Sequence, residues 1–411
     1  MQRKSIKKSV SASIKDGLAW AVMSGFADPY AVPFALAIGA STIAVGCLRS
    51  LPALAASFSQ FFTEQLVLRL GSCKKSVLLL VLAQAVSLLA MAFCVFLPAR
   101  AALPVFIFLT VLYSVSGNLS GPPWSALMGE YIPASKRGVF FGFRFQVVGV
   151  TFFAASFIAA KFLTFLGEGV LWGFAALFAA AGLSRLLSVY YLTLHYEPKT
   201  RFHMPQKTPF KLLTAFYFRR NRVSAMYFSV FIMLSATFLA APYFSVYALK
   251  ELRFDYIHYT VIMTIGPLMT YLFMKKWGLA ADKFGSVKVL KAAFFLIPTV
   301  PFLWTLSRNF YFLASVELYS GIIWGAYIIG MNNFIYDSST PAERTGYNAA
   351  FAFVGGIAQF GGSLSGGWLY DFLPPLGGSR FITLLLISGV LRTAAIVPFM
   401  KLVKERVAGD K

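Results

Sequence analysis

Charge is what this sequence has least of. Only 13% of its 411 residues are Asp, Glu, Lys or Arg, and only 15 are acidic; a soluble domain carries about a quarter charged residues. With 58% hydrophobic residues, the chain cannot hide its apolar surface in one water-soluble core, so lipid must be the solvent for most of it. Histidine and cysteine are scarce too. His195, His203 and His258 fall in loops or at the ends of apolar runs, with no HExxH and no His–acid pair, and Cys47, Cys73 and Cys94 lack metal-ligand spacing. No metal or cofactor is expected, and the cysteines read as small buried hydrophobes. A Walker phosphate loop is missing, which excludes the usual means of spending ATP. A cleavable leader is not expected either, because residues 16–38 are too long and too polar for its apolar core.

What is present is a series of long apolar runs. Twelve are long enough to span a bilayer: 17–38, 40–62, 76–97, 101–128, 139–163, 170–194, 223–249, 256–277, 289–306, 310–336, 346–370 and 380–400. They do not alternate as barrel strands would, so helices are expected.

The formal net charge is +22. In a soluble protein that would point to nucleic acid; here the bases sit between spans and set topology instead. With the N-terminus in the cytoplasm, twenty-seven of the 37 Lys and Arg residues fall on the inner side. Six (Arg100, Lys161, Lys250, Arg253, Arg308, Arg380) fall outside, and four (Arg49, Arg144, Arg185, Arg392) lie well within spans, bases at a span's end being counted with the side that end faces. This bias places both termini in the cytoplasm.

The polar stretch 195–222, with Pro198, Pro205 and Pro209, reads as a cytoplasmic linker between six spans in 1–194 and six in 223–411. The halves repeat. Ala27-Asp28-Pro29-Tyr30 recurs as Ala240-Ala241-Pro242-Tyr243, 213 residues on. The acid and arginine of Glu130-x-x-Pro-x-x-x-Arg137 recur as Asp337 and Arg344, and Gly182-x-x-Arg185 as Gly389-x-x-Arg392, each 207 on. Parallel six-span repeats imply a pseudo-two-fold axis along the membrane normal.

The segment after the eighth span, Gly278-Leu-Ala-Ala-Asp282-Lys283-Phe-Gly285-Ser-Val-Lys288, together with these repeats, resembles the major facilitator superfamily of secondary transporters. The resemblance extends over essentially the whole chain. The first-half equivalent, Glu64-Gln-Leu-Val-Leu68-Arg69-Leu-Gly71-Ser-Cys-Lys74-Lys75, keeps the glycine turn and the bases but has Leu68 where the acid belongs. The expected fold is therefore an all-α integral membrane protein of twelve transmembrane helices in two pseudo-symmetric six-helix bundles. Gly278 is expected to permit close helix approach, Gly285 a tight turn, and Asp282 a contact that breaks when the cytoplasmic side opens.

Ionisable groups inside spans are costly and mark functional candidates. Asp28 lies ~15 Å from the outer end of the first span and Arg49 ~14 Å from that of the second, so the two can pair. That pair is either a proton or cation site or a static bridge, and both readings stand. Pro29 and Pro33 free backbone carbonyls beside Asp28 for a ligand. Glu317 lies ~10 Å deep in the tenth span.

The resemblance implies that spans one, four, seven and ten surround the central cavity. These carry Tyr30, Asn118, Trp124, Tyr243, Tyr247, Tyr319, Trp324, Tyr327, Asn332 and Asn333, a set suited to a solute with flat and polar parts, although for each aromatic alone ordinary packing or an interfacial belt is the better reading. Arg144, Arg185 and Arg392 read as structural, pairing with Glu130 and Asp337 or reaching the inner headgroups.

The expected function is secondary transport of a small solute by alternating access, driven by an ion gradient or by the solute's own, with a proton through Asp28 or Glu317 or else a sodium ion as the coupling ion, in a monomer of the bacterial inner membrane. A membrane-embedded lipid enzyme and a non-transporting sensor are the alternatives. The first lacks a catalytic cluster and the second a sizeable signalling segment.

Overall fold

The computed structural model describes residues 2–132, 134–167, 171–197, 222–339 and 344–402. Nearly all of it is helix, because a backbone in hydrocarbon must satisfy its own hydrogen bonds.

Six helices precede the linker. α1 comprises Gln2–Ala27, a 3₁₀ turn at Asp28–Tyr30, and Ala31–Ala37. α2 comprises Thr42–Ser59 and, past a 3₁₀ turn, Thr63–Leu70. Next come α3 (Cys73–Phe93), α4 (Ala99–Tyr131), α5 (Ala134–Leu166) and α6 (Leu171–Thr193). After the linker, α7 runs over Arg222–Ala240, through a 3₁₀ turn at Ala241–Tyr243, to a π-helical turn at Tyr247–Glu251. It is followed by α8 (Tyr256–Phe284), α9 (Ser286–Leu296 and Thr299–Trp304), α10 (Phe310–Ser338), α11 (Arg344–Phe372) and α12 (Arg380–Ala394 and Ile396–Leu402). Ten of these, all but α1 and α11, are long and apolar enough to cross a membrane. α1 and α11 have the length, with helices of 26 and 29 residues, but are more polar.

The chain separates into two compact units. Unit 1 is Met1–Ser41, Leu51–Met204 and Phe254–Thr264; unit 2 is Thr42–Ser50, Pro205–Arg253 and Ile265–Lys411. α2 and α8 thus each contribute residues to both. Inside unit 1, α3 packs on α4 and α6, and α1 on α5 and α6. Inside unit 2, α7 packs on α11 and α12, and α9 on α10.

The internal repeat is visible in the packing. Unit 1 buries an aromatic cluster of Phe34, Phe106, Phe174 and Phe178, with Phe34 and Phe106 edge-to-face at 4.7 Å. Unit 2 packs Phe244 against buried Tyr247, Trp304 and Phe381, with Tyr247 stacked on Phe381 at 4.5 Å. Tyr247 follows Phe34 by 213 residues and Phe381 follows Phe174 by 207, the two offsets of the sequence repeat. Tyr247 thus packs against Phe381 in the core of unit 2. Cys73 and Cys94 are buried and Cys47 half-buried.

The signature segment differs from its expected form. α8 does not stop near residue 277 but continues to Phe284, so Gly278, Asp282 and Lys283 are helical, and Lys288 already belongs to α9. Gly285 alone is the turn, with φ at +94°, where a side chain would be strained. A Cβ on Gly278 would meet nothing within 4 Å, so close helix approach is not its role. The close approach occurs at Gly321 in α10, where an added Cβ would collide with the main chain of Gly266 in α8.

Candidate functional site

Asp28 stands where α1 loses regular geometry. Pro33 has no N–H, so the carbonyl of Pro29, four residues back, is left without its helical donor. Tyr259 Oη donates to that carbonyl at 2.7 Å. The acceptor freed by the prolines is thus occupied by a side chain of unit 1 rather than kept for a ligand. Next to it, Tyr30 is fully buried; its hydroxyl donates to Ser156 O at 2.5 Å and lies 2.8 Å from Thr260 Oγ1.

The Asp28 carboxylate accepts hydrogen bonds from α4 and from its own helix. Tyr113 Oη of α4 donates to Oδ1 at 2.8 Å, and Ser24 Oγ, one turn back on α1, donates to Oδ2. Arg49 falls in unit 2, where its main-chain carbonyl accepts from Gln359 Nε2 at 3.1 Å.

The same turn recurs in unit 2 without the acid. Ala241–Tyr243 is again a 3₁₀ turn with proline in second place, and Tyr243 is again fully buried and donates to a main-chain carbonyl, that of Ser363. Ser363 follows Ser156 by 207 residues. Tyr30 and Tyr243 are therefore matched struts of the two repeats, while Ala241 takes the place of Asp28. The turn forms without a carboxylate, so structural necessity does not account for Asp28.

A second carboxylate of unit 1 was not apparent in the sequence. Asp16, 4% exposed, accepts from Ser188 Oγ at 2.6 Å and forms an ion pair with Arg144 Nη2 at 3.6 Å. Arg144 also donates from Nε to Ser13 O at 3.2 Å, and its guanidinium lies 4.5 Å over the Trp124 ring. Arg185, equally buried, donates to Gln84 Oε1 at 2.7 Å and to Ser188 Oγ at 3.0 Å. The partners expected for the arginines were Glu130, Asp337 or headgroups. Arg144 pairs with Asp16 and Arg185 reaches it through Ser188, because α1, α5 and α6 converge there and burial makes an internal counter-charge far more favourable than none.

In unit 2, Arg392 is buried and donates from Nε to Ser388 Oγ at 3.1 Å, with Thr237 O at 3.5 Å from Nη2. Glu317 accepts from Trp304 Nε1 at 2.8 Å and lies beside Gly266. Trp304 was not singled out in the sequence.

The remaining candidates spread over α4 and α10. Asn118 is exposed and donates to Ser114 O on its own helix at 2.9 Å. Asn332 is exposed and Asn333 half-exposed. Trp324 meets Tyr327 edge-on at 5.2 Å. Asp282, Lys283 and Asp337 are exposed at helix ends. The side chains of Glu130, Arg137 and Arg344 lie outside the described residues, as do most of the linker and His203.

The degraded first-half signature loop has a different partner. Ser72 Oγ and Lys74 N donate to the Glu197 carboxylate at 2.5 and 3.1 Å, while Lys74 Nζ donates to Thr193 O and His195 O at 2.8 and 2.7 Å. An acid thus caps the start of α3 and a base caps the end of α6, each with the sign the helix dipole favours. His195 is buried in this clamp, and burial, with Lys74 and Arg144 nearby, pushes its imidazole down to about 4. Between pH ~6.5, the ordinary value, and 4, an unfolded chain binds a proton there that the folded chain refuses. Stability is expected to fall over that window, by about 3 kcal/mol from this group. His195→Gln should flatten that part of the melting-temperature-against-pH curve; an unchanged curve would contradict the assignment.

Spanning helices whose acids and arginines are buried against one another define a polytopic membrane protein. Residues 16–363 match the family model described as Major Facilitator Superfamily, and the chain belongs to that family. Its fold is similar to the nucleoside transporter NupG (TM-score 0.72, 18% identity, covering 98% of this chain and 100% of that one). It is also similar to a D-xylose-proton symporter (0.72, 13%, 97% of each chain) and to a bacterial homologue of the iron transporter ferroportin (0.69, 12%, 98% and 100%). No curated protein sequence matches it. The protein is a multi-pass membrane protein and a secondary transporter.

Proposed function

We propose that this transporter moves a small polar solute with a flat face, by alternating access, and couples the movement to a proton taken up by Asp28. The observation that carries the reading is the contrast between the repeats: both build the same buried tyrosine turn, and only the first places a carboxylate in it. An acid within a span that the fold does not require is retained for work.

Sugar and nucleoside transporters among the similar folds are in keeping with such a solute. Asn118 of α4, and Asn332 and Trp324 of α10, are the candidate solute contacts within their respective units. Glu317, bonded to Trp304, is the lesser proton candidate. Gating is assigned to Asp282, Lys283 and Lys288, and to the Glu130–Arg137 and Asp337–Arg344 motifs. The protein is read as a monomer of the bacterial inner membrane, acting as a transporter and not as an enzyme. The charge bias puts both termini in the cytoplasm, which reporters fused at each end would check.

The test is flux into proteoliposomes holding a trapped pH dye, with pooled nucleosides and sugars supplied outside. Lumenal acidification that follows solute entry is expected. Solute entry with no pH change would defeat proton coupling, and product formation without entry would favour an enzyme.

A further inference from the structure

The Tyr113 hydroxyl has two acceptors and one proton. Besides Asp28 Oδ1 at 2.8 Å, it lies 3.4 Å from the thioether of Met23. It cannot donate to both, and an ionised carboxylate wins over a thioether, which is a weak acceptor. Once Asp28 is protonated, its own O–H becomes a donor and the Tyr113 oxygen can accept it. The tyrosine proton is then free to turn to Met23.

Tyr113 is also held from behind. Its main-chain carbonyl accepts from Gln84 Nε2 at 3.3 Å, and the other end of that amide accepts from Arg185 Nε at 2.7 Å. Gly117 leaves room for the amide, since a Cβ there would lie 2.6 Å from Gln84 Nε2. Arg185 acts electrostatically on the Tyr113 hydroxyl and reaches Asp16 through Ser188. The titratable and charged groups that these bonds bring toward Asp28 include Tyr113 from α4 and, behind it, Arg185 from α6. α1 adds Asp16, on the order of 18 Å along the helix, and α5 adds Arg144 beside Asp16.

We infer that Tyr113 is a positioning residue for Asp28: its hydroxyl turns between the carboxylate and Met23 as Asp28 gains and loses its proton, and so carries the charge state of α1 to α4 and the Gln84–Arg185 pair. Nothing is transferred from the tyrosine. The proton on Asp28 comes from water, and the tyrosine O–H bond only rotates. The inference rests on the reading of Asp28 as the proton site.

Infrared difference spectra of the purified protein in liposomes, recorded between high and low pH, test it without any solute. Acidification is expected to produce the carbonyl band of a protonated acid and, at the same midpoint, a change in a tyrosine side-chain mode. Asp28→Asn should remove both. Tyr113→Phe should keep the acid band, move it to higher frequency because it loses a partner, and remove the tyrosine change. Met23→Leu should keep the acid band in place and diminish the tyrosine change.

If Asp28→Asn leaves the acid band untouched, the proton-site reading itself fails. If Asp28→Asn removes the band while Tyr113→Phe neither moves it nor removes the tyrosine signal, Tyr113 has no such role and Asp28 keeps its own. Should Tyr113→Phe not fold, Met23→Leu decides: a tyrosine change of full size overturns the two-acceptor switch.

Discussion

Proteoliposomes carrying Asp28→Asn are expected to lose proton-driven accumulation down to the level of empty liposomes, while exchange of solute across the membrane continues within a few-fold of the parent. Asparagine keeps the size of the side chain and one oxygen acceptor for Tyr113 Oη, and the Ser24 hydroxyl can rotate to accept from the new NH₂ group. The turn does not need the acid, as Ala241 demonstrates at the equivalent position of α7. Folding should therefore survive and only the exchangeable proton disappear. Accumulation against a gradient needs that proton; exchange at equal concentrations does not. Concentrative uptake by Asp28→Asn would remove Asp28 from the mechanism. Loss of exchange as well as uptake would instead make Asp28 a solute ligand.

The fold was legible because lipid leaves few choices. Spans read at 170–194 and 310–336 appear as Leu171–Thr193 and Phe310–Ser338. Errors collect where helices outrun the hydrocarbon: α4 ends at Tyr131 and α8 at Phe284, since polar residues in water prolong a helix that hydropathy says has ended. The matched offsets 207 and 213 located Tyr30 with Tyr243 and Arg185 with Arg392, but not what each touches, because Ser156, Ser363 and Gln84 approach from helices more than a hundred residues away. Gln84 was visible as a lone amide in the middle of an apolar run and was passed over. Asp16 was lost for a different reason. It sits at the edge of a lysine-rich stretch that reads as solvated, yet α1 is helical from Gln2 onward and turns that one acid inward. Tyr113 carried no signal, being one of 19 tyrosines in a chain where any aromatic is at home.

Asp16→Asn is expected to cost the most stability of any single replacement, about 3–5 kcal/mol, the range for removing one member of a buried ion pair. Arg144 and Arg185 are 8% and 4% exposed, too deep for water to replace the lost counter-charge. Asparagine can still accept from Ser188, so the hydrogen bond survives and the loss isolates the charge. Neutralising Arg144 as well should recover part of the loss, since only Arg185 then stays unpaired, and Arg185 keeps Gln84 and Ser188 as acceptors. Thermal unfolding in lipid, followed across the parent, both single variants and the double variant, reads the coupling directly. Additive losses would mean that Asp16 and Arg144, 3.6 Å apart, do not act as a pair. A single variant as stable as the parent would mean that the arginines find their counter-charge elsewhere. Recovery in the double variant would show that unit 1 is held together by balanced charge rather than by the number of its hydrogen bonds.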